Sequence, residues 1–434
     1  MDKGTNSKLR QKEGQKIKHK LKQKAWKKIV QKTAQEMNSE DKVCGQTLSA
    51  FKLRCNLQYN KIIANIWTPP ERWNVPGAWY WWFWLFFIHD KNTKKTGKCR
   101  QVMILWSIKK DSKIKCNELD IEIPVQIERK KQEQEHEHSE KLASRWLLHG
   151  AAAAWYFDGK KMHHDFVLEK SDMALDFEGK KLIAPGKTPS KFYMEGNEFV
   201  TKIQGKGTTF EFRAKQTDNN PAVGPTYGAT KFPGGMQVEG TRLETMELSG
   251  FEASAGGKKK KITGTAYFQK ILVAVPIPQW FWGLYHFNDG SFFAYMLPYM
   301  GKAMLAKDTH ISPKLCTPAI ALDQNVLFYD ALSGKLFEGN RLEINPIKIK
   351  GTELWKHEIR GSGKGFEVNA VAEAYSHSCW KFTKNMSFTP FKSVFKYNEY
   401  PATVKNLTLV CDNGKKIVLK NGWGNMENSW GFLI

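Results

Sequence analysis

Residues 262–298, ITGTAYFQKILVAVPIPQWFWGLYHFNDGSFFAYMLP, contain the strongest local structural signal in this chain of 434 residues. Two aromatic runs, residues 280–287 and 291–297, flank an Asp289-Gly290 turn. A tight hairpin turn needs positive φ angles, which Asp-Gly readily supplies. The stretch therefore predicts an antiparallel β-hairpin made of two aromatic strands.

Bulky side chains occupy almost every position of these two strands, so neither face is predicted to be fully solvated. A strand with one wet face would alternate apolar and polar residues. The pattern fits a barrel wall, with one face toward a cavity and the other packed outside. It fits the core strand of a β-sandwich equally well, and periodicity alone does not separate the two.

A second aromatic hairpin lies nearer the N-terminus. Residues 77–88, GAWYWWFWLFFI, are followed by a polar loop and by a return strand at residues 100–108. Because the two hairpins are built alike, they indicate a duplicated architecture. Turn signals such as Asp158-Gly159 recur about every ten residues through the rest of the chain, which is typical of all-β proteins.

Much of the net charge of +24 lies at the N-terminus. Residues 1–42 are rich in Lys and Gln and predict a basic, helical N-terminal arm. Such an arm can bind nucleic acid or an anionic membrane surface, or it can remain a solvated tail. The arm is therefore one candidate for a partner-binding segment.

Seven cysteines are scattered through the chain with no Cys-x-x-Cys pair. An odd number without metal-ligand spacing argues against a disulfide framework and a zinc knuckle, and favours reduced thiols in a cytosol. The N-terminus lacks the apolar core of a secretory signal. The longest apolar run, residues 78–88, is far shorter than the ~20 residues of a membrane helix. We therefore expect a soluble, cytoplasmic protein.

Four groups of motifs occur in an order that resembles one protein family. They are Trp79-Tyr80-Trp81 with Leu105-Trp106-Ser107, LLHGAAAAWYFDGKKMHHDFVLEK from Leu147, GTAYF from Gly264 with Trp280, Trp282 and Asp289-Gly290, and GWGNMENSWG from Gly422. This order, over residues 60–434, resembles the carotenoid hydratase (hydroxyneurosporene synthase) family and its relatives with paired lipocalin-like domains. The resemblance implies an all-β fold of two lipocalin-like antiparallel β-barrels side by side, at residues 43–254 and 255–434.

The same resemblance implies an isoprenoid or similarly apolar ligand between or inside the barrels. Hydration of a carbon–carbon double bond needs an acid, aromatic faces that stabilise the carbocation, and a placed water. The family has acidic residues after the GTA run and between the two tryptophans. This chain has Tyr267-Phe268-Gln269-Lys270 and Phe281 at those places, with no carboxylate.

The predicted ligand contacts are aromatic residues and one histidine. Trp280 and Trp282 are expected on one face, because strand side chains repeat every two residues. His149 precedes the small-residue run at 151–154, which leaves room for a cavity. Plain packing is the alternative for all of them. The complete set is Trp79, Trp81, His149, Trp280, Trp282 and Tyr285.

Three residues are candidates for the missing acid: His286, Tyr267 and Glu247. Glu244 lies in the same strand before the GTA run and is the alternative to Glu247. Adjacent strand residues such as His163 and His164 point to opposite faces, so we expect no metal site there. The sequence has no dinucleotide-binding fingerprint, and no cofactor is expected.

Three functions follow as hypotheses. The first is binding of an apolar, isoprenoid- or lipid-like ligand in an aromatic-lined β-barrel cavity, for example as a carrier. The second is an isomerase, cyclase or hydratase that acts on a terpenoid or carotenoid. The third is binding of nucleic acid or an anionic membrane surface through residues 1–42.

Overall fold

A computed structural model of the protein describes residues 62–68, 78–109, 113–122, 145–216, 226–231, 237–274, 279–301, 318–321, 324–385 and 392–433. The predicted N-terminal arm lies outside these residues. Apart from a helical segment at residues 62–66 and the short helix Thr93–Thr96, the regular structure is β-strand, so the all-β prediction is confirmed. No helix in the described ranges is long and apolar enough to cross a bilayer.

The strands are numbered in chain order. Those before residue 275 are β1 Trp79–Ile88, β2 Arg100–Lys109, β3 Lys113–Cys116, β4 Leu119–Glu122, β5 Arg145–Phe157, β6 Met162–Asp176, β7 Lys181–Ala184, β8 Ser190–Glu195, β9 Glu198–Gly205, β10 Thr208–Lys215, β11 Thr226–Lys231, β12 Gln237–Ser254 and β13 Lys260–Ala274. The later ones are β14 Gln279–His286, β15 Phe292–Gly301, β16 Pro318–Ala321, β17 Asn325–Asp330, β18 Lys335–Lys348, β19 Trp355–Gly363, β20 Phe366–Ala374, β21 Ser378–Asn385, β22 Lys392–Cys411 and β23 Lys416–Leu433.

The first sheet closes into a barrel. Its strands run in the order β10-β9-β8-β7-β6-β5-β2-β1-β13-β12, and β12 pairs with β10 to complete the ring. Closure depends on the 18-residue strand β12, which also pairs with β11. The predicted first hairpin is confirmed, because β1 and β2 pair in antiparallel register from Trp79–Lys109 to Ile88–Arg100.

The second sheet also closes into an antiparallel barrel beside the first. Its order is β20-β19-β18-β17-β15-β14-β23-β22, and β22 pairs back with β20. The hairpin predicted around Asp289-Gly290 is confirmed as the β14–β15 pair. Paired lipocalin-like barrels are therefore the correct fold class.

The division between the barrels differs from the expected boundary at residues 254 and 255. Strand β13 pairs with β1 and β12, so it belongs to the first barrel, and the chain enters the second barrel between Ala274 and Gln279. The β3–β4 hairpin also differs from the expected division, because it precedes the boundary but belongs to the second sheet. It pairs with β21 and extends the second sheet, although it lies between two strands of the first barrel in sequence.

The two apolar faces of each aromatic strand pack in different cores. On β1, Trp82, Trp84 and Phe86 point into the first barrel, whereas Phe83 and Leu85 pack between the barrels. On β14 the same alternation places even-numbered residues between the barrels and odd-numbered residues inside the second. One face of each strand thus fills a barrel core, and the other forms a third core where the barrels meet.

Aromatic rings pack against each other inside the first barrel, and neither described pocket lies in this core. Phe86 stacks on Phe212 with ring centroids 3.9 Å apart, and Trp84 stacks on Phe86 at 5.1 Å. The segment at residues 62–68 also packs on this core, and Lys270 Nζ donates a hydrogen bond of 2.7 Å to the Thr68 carbonyl. The two described pockets lie outside this core, between the barrels.

Candidate ligand site between the two barrels

Two adjoining apolar pockets lie where the outer faces of the barrels meet. The larger has an empty volume of about 420 Å³ and the smaller about 360 Å³, both including part of their open mouths. The larger is lined by Trp79, Leu105, Ser107, Ile114, Cys116, Ile121, Ala151, Ala153, Leu168 and Phe382. The smaller is lined by Trp79, Trp81, Leu105, Val273, Trp280, Phe382, Phe395 and Tyr397.

The alternation of side chains along β1 and β5 determines which residues of the first barrel line the pockets. Odd-numbered residues of β1 and β5 face outward, so Trp79 and Trp81 lie beside Ala151 and Ala153. The two alanines leave space that larger side chains would fill, as the small-residue run predicted. The indole N–H of Trp79 donates to Ser107 Oγ, which satisfies the one hydroxyl group in the larger lining.

The second barrel supplies aromatic residues to the opposite wall. Trp280 packs against Phe395 at 5.3 Å between ring centroids, and Trp79 meets Phe382 edge-on at 4.6 Å. The prediction that Trp280 and Trp282 share one face is confirmed, since both belong to the core between the barrels. Trp79, Trp81 and Trp280 line a pocket, and Trp282 packs behind it on Tyr267 at 5.3 Å.

Two buried carboxyl groups lie behind the smaller pocket. Glu399 of β22 and Glu427 of β23 are direct cross-strand partners, exposed by 1% and 3%. Trp280 donates its indole N–H to Glu427 Oε2, and Tyr397 donates its hydroxyl to Glu427 Oε1 at 3.1 Å. Both donors line the pocket, so Glu427 is one hydrogen bond away from its wall.

Burial determines the protonation of these carboxyl groups. It raises the pKa of Glu427 to about 7, against the lowering effect of its bonds from Trp280 and Tyr397. Burial also raises the pKa of Glu399 well above its ordinary value, and the neighbouring charge of Glu427 raises it further. Two adjacent buried carboxyl groups do not both ionise near neutral pH, so the pair retains a proton.

His286 lies between the barrels but is not a strong acid there. Its ring is near Trp423 and Phe87, and its Nδ1 atom lies 3.4 Å from Thr265 Oγ1. Burial lowers the pKa of His286 to about 3, so the imidazole is neutral at physiological pH. A neutral imidazole can orient a ligand or a water, but it does not carry the extra proton that an acid needs.

Tyr267 also lies in the core between the barrels and is fully buried. Its hydroxyl donates a 3.0 Å hydrogen bond to Gln269 Oε1. Burial raises the pKa of Tyr267 well above its ordinary value. The hydroxyl is therefore protonated, and its proton is engaged within the protein.

The remaining three predicted residues lie away from the pockets. Tyr285 points into the second barrel, where it belongs to that barrel's core. Glu247 is on the exposed face of β12, because the strand has a bulge between Leu243 and Met246. His149 shares the outer face of β5, but its Nδ1 contacts the Asp172 carboxylate at 2.7 Å and it lines neither described pocket.

Glu399 and Glu427 are the residues that sequence reasoning missed. Glu427 stands within the closing GWGNMENSWG motif, and residues 422–431 are all buried. A lone carboxylate in an otherwise aromatic and small-residue strand was a usable signal for Glu427. Glu399 becomes meaningful only through its pairing with Glu427, which the sequence does not reveal.

Comparison with known proteins gives similarity in structure alone. No family model and no curated protein matches the sequence. The chain is similar to a crystal structure of a candidate AttH protein from Nitrosomonas europaea, with 14% identity and a TM-score of 0.44, covering 82% of this chain and 92% of that one. It is also similar to CghA, with 9% identity and a TM-score of 0.41, covering 81% and 88%.

A third similar structure is kievitone hydratase from Nectria haematococca, with 10% identity and a TM-score of 0.39, covering 82% of this chain and 89% of that one. Similarity at this level does not indicate what the present chain binds or catalyses. The chain is thus similar, over about four fifths of its length, to solved structures that include a hydratase.

Proposed function

We propose that the protein binds an apolar, isoprenoid- or lipid-like molecule in the pockets between its two barrels. One observation carries the proposal: aromatic and alanine side chains from both barrels leave an apolar space where their outer faces meet. A tightly packed interface would instead fill this space, as stacked rings do in the core of the first barrel. We therefore propose that the ligand binds between the barrels rather than inside one.

The chemistry of the walls supports an apolar ligand. Indole, phenyl and aliphatic groups dominate both linings, and the hydroxyl of Ser107 is already bonded to Trp79. Transfer of apolar surface from water to such walls is favourable by about 25 cal/mol per Å². Trp79, Leu105 and Phe382 line both pockets, so the two spaces adjoin and one ligand can contact both walls.

The fluorescence of Nile red, an apolar dye, tests this proposal. Wild-type protein should bind the dye, and Ala153→Phe should weaken binding by roughly tenfold or more because the ring fills the larger pocket. Leu332→Phe, at a residue 84% exposed in a turn, is the control and should bind like wild type. Equal dye binding by all three folded proteins would place the dye outside this pocket.

The alternative function, isomerase, cyclase or hydratase action on a terpenoid or carotenoid, is supported by one further observation. Glu399 and Glu427 retain a proton beside an aromatic wall, and such chemistry needs an acid near aromatic faces. Incubation with an unsaturated isoprenoid extract and mass spectrometry of the products tests it. Conversion that Glu427→Gln abolishes supports the enzyme, whereas retention of unchanged ligand supports a carrier.

A further inference from the structure

The carboxyl pair has few neighbours that can alter its charge. Tyr397 of β22 faces both carboxyl groups, and Asn425 of β23 acts on Glu399. Among the described residues, Tyr267 of β13 and Tyr295 of β15 also interact with the pair, and burial raises the pKa of both phenols, which keeps them protonated. Within this group of residues, the proton that is gained or lost near neutral pH is therefore the one held by Glu399 and Glu427.

Tyr397 lies between this pair and the smaller pocket. Its ring is part of the pocket wall, and its hydroxyl oxygen is 3.1 Å from Glu427 Oε1. A carboxylate can only accept a hydrogen bond, so an ionised pair holds the Tyr397 proton. A protonated carboxyl group can donate instead, which leaves the Tyr397 hydroxyl free to turn its proton toward another acceptor.

We propose that Glu399 and Glu427 control the direction of the Tyr397 hydroxyl, so that the protonated pair lets Tyr397 donate a hydrogen bond to a neutral acceptor on the ligand. The ligand class is then an apolar molecule with one carbonyl, ether or hydroxyl oxygen, such as an isoprenoid ketone. This inference rests on the proposed function, because it requires a ligand in the pocket between the barrels.

The sign of the pH dependence follows from this arrangement. At low pH the pair is protonated, Tyr397 donates into the pocket, and a ketone gains a hydrogen bond that a hydrocarbon cannot form. As the pH rises through the titration of the pair, the carboxylate takes the Tyr397 proton and the ketone loses that bond. Affinity for a hydrocarbon should not follow this titration.

Carvone and limonene provide a matched test, since they share a monocyclic terpene skeleton and only carvone has a carbonyl group. Their affinities are measured by displacement of Nile red from full-length protein between about pH 5 and about pH 9. Carvone should be preferred by roughly threefold to tenfold at the acidic end, the range of one neutral hydrogen bond. The preference should disappear at the alkaline end.

Three variants test separately the Tyr397 donor, the titrating carboxyl pair and an unrelated ion pair. Tyr397→Phe removes the donor and should reduce the carvone preference to about one at every pH. Glu427→Gln should make the preference independent of pH, because the pair no longer shares a titrating proton. Glu373→Gln, at a partly exposed residue paired with Lys405 at 2.7 Å, is the matched control and should behave like wild type.

The outcomes distinguish this inference from the proposed function. If both terpenes displace Nile red with equal affinity at every pH, the ligand site stands and the role of Tyr397 is wrong. If neither terpene displaces the dye, both proposals fall. Should Tyr397→Phe not fold, the pH dependence of wild type and Glu427→Gln decides, and infrared absorption of a protonated carboxyl group, lost in Glu427→Gln, checks the pair without any ligand.

Discussion

At the scale of single residues, Glu399 and Glu427 are the most unusual feature of the protein. Each occupies a position where an apolar side chain would stabilise the fold, and the two face each other across neighbouring strands. A buried carboxylate without a cation is unfavourable, so such a group stays protonated. Their position behind the smaller pocket is the basis of the role toward a ligand that we propose for them.

Substitution of Glu427 should change how stability depends on pH. Its folded pKa of about 7 exceeds the ordinary 4.5, so the folded protein binds more protons, and stability falls as pH rises from about 4.5 through 7. Glu427→Gln should remove this loss, raising the free energy of unfolding above pH 7 by up to about 3 kcal/mol relative to wild type. Urea unfolding at several pH values measures it.

The control for that measurement is Glu373→Gln, which alters a partly exposed ion pair with Lys405. It should leave the pH profile of the free energy of unfolding close to that of wild type. A Glu427→Gln profile that runs parallel to wild type across the same pH range would show that Glu427 is already ionised in the folded protein.

At the scale of strands and hairpins, local chemistry predicted more than long-range geometry. Asp289-Gly290 was sufficient to predict the β14–β15 hairpin, because a two-strand turn depends on its own residues. The bulge that exposes Glu247 and buries Glu244 was not predictable, since it arises from the register of β12 against β13. For the same reason the sequence did not decide whether the pockets lie between or inside the barrels, as their walls join residues about 300 positions apart, such as Trp79 and Phe382.

The β3–β4 hairpin covers one side of the larger pocket. Ile114, Cys116 and Ile121 line that pocket, while the described pairing of β3 to β21 involves only Cys116 with Phe382 and Lys115 with Thr383. Asn117, in the turn of the hairpin, donates its N–H to the Lys381 carbonyl and accepts from the Lys381 N–H, both at 2.9 Å. Because these bonds and two ladder pairs are the described polar links to β21, the apolar contacts are also expected to keep the hairpin closed. The hairpin is therefore the part of the site that is expected to open most readily.

Cys116 reports on this opening. Burial raises the pKa of its thiol well above the ordinary value, so the closed hairpin should react slowly with a maleimide. Ile121→Ser removes an apolar contact and should accelerate the labelling of Cys116 by roughly tenfold. Mass spectrometry of the labelled peptide measures the rate, and Ser249→Ala on the exposed face of β12 is the control. Equal labelling rates of Cys116 in Ile121→Ser and Ser249→Ala would contradict the expected opening of the β3–β4 hairpin.

At the scale of the whole molecule, the barrels are joined by polar contacts as well as by the aromatic core. Gln101 is fully buried between them, where its Nε2 donates to Tyr375 Oη at 2.9 Å and to the Gly424 carbonyl at 2.8 Å. Asn425 donates to Gln101 Oε1 at 3.3 Å. These bonds fix the orientation of β2 against β23, and with it the shape of the pockets.

Gln101→Leu should weaken this connection. It leaves buried groups of the second barrel without their partner, which should lower the free energy of unfolding by about 1–3 kcal/mol. Gln204→Leu, at an exposed position of β9, should change stability by less than about 0.5 kcal/mol. Thermal unfolding monitored by tryptophan fluorescence compares the two. A Gln101→Leu protein as stable as wild type would mean that the polar contacts are dispensable.

The basic arm at residues 1–42 remains a prediction from the sequence, outside the described residues. Deletion of the arm should abolish any binding to single-stranded RNA or to anionic vesicles, and this binding should weaken as salt concentration rises. Nile red binding should persist, because both pockets are formed by later residues. Loss of dye binding on deletion would show that the arm contributes to the ligand site.

The sequence predicted the overall architecture, because turn spacing, aromatic hairpins and motif order are all carried by local segments. It did not predict where the cavity lies. Two apolar faces on a strand indicate burial on both sides, yet they do not say which side is packed and which retains space. That distinction depends on Ala151 and Ala153 facing the second barrel, a property of the assembled molecule.

The most direct measurement is a crystal structure of the protein pressurised with xenon, which enters apolar cavities without chemical bias. We predict anomalous density from xenon between the barrels, beside Trp79, Leu105 and Phe382. Xenon found only inside the barrels, among rings such as Phe86 and Phe212, would contradict it.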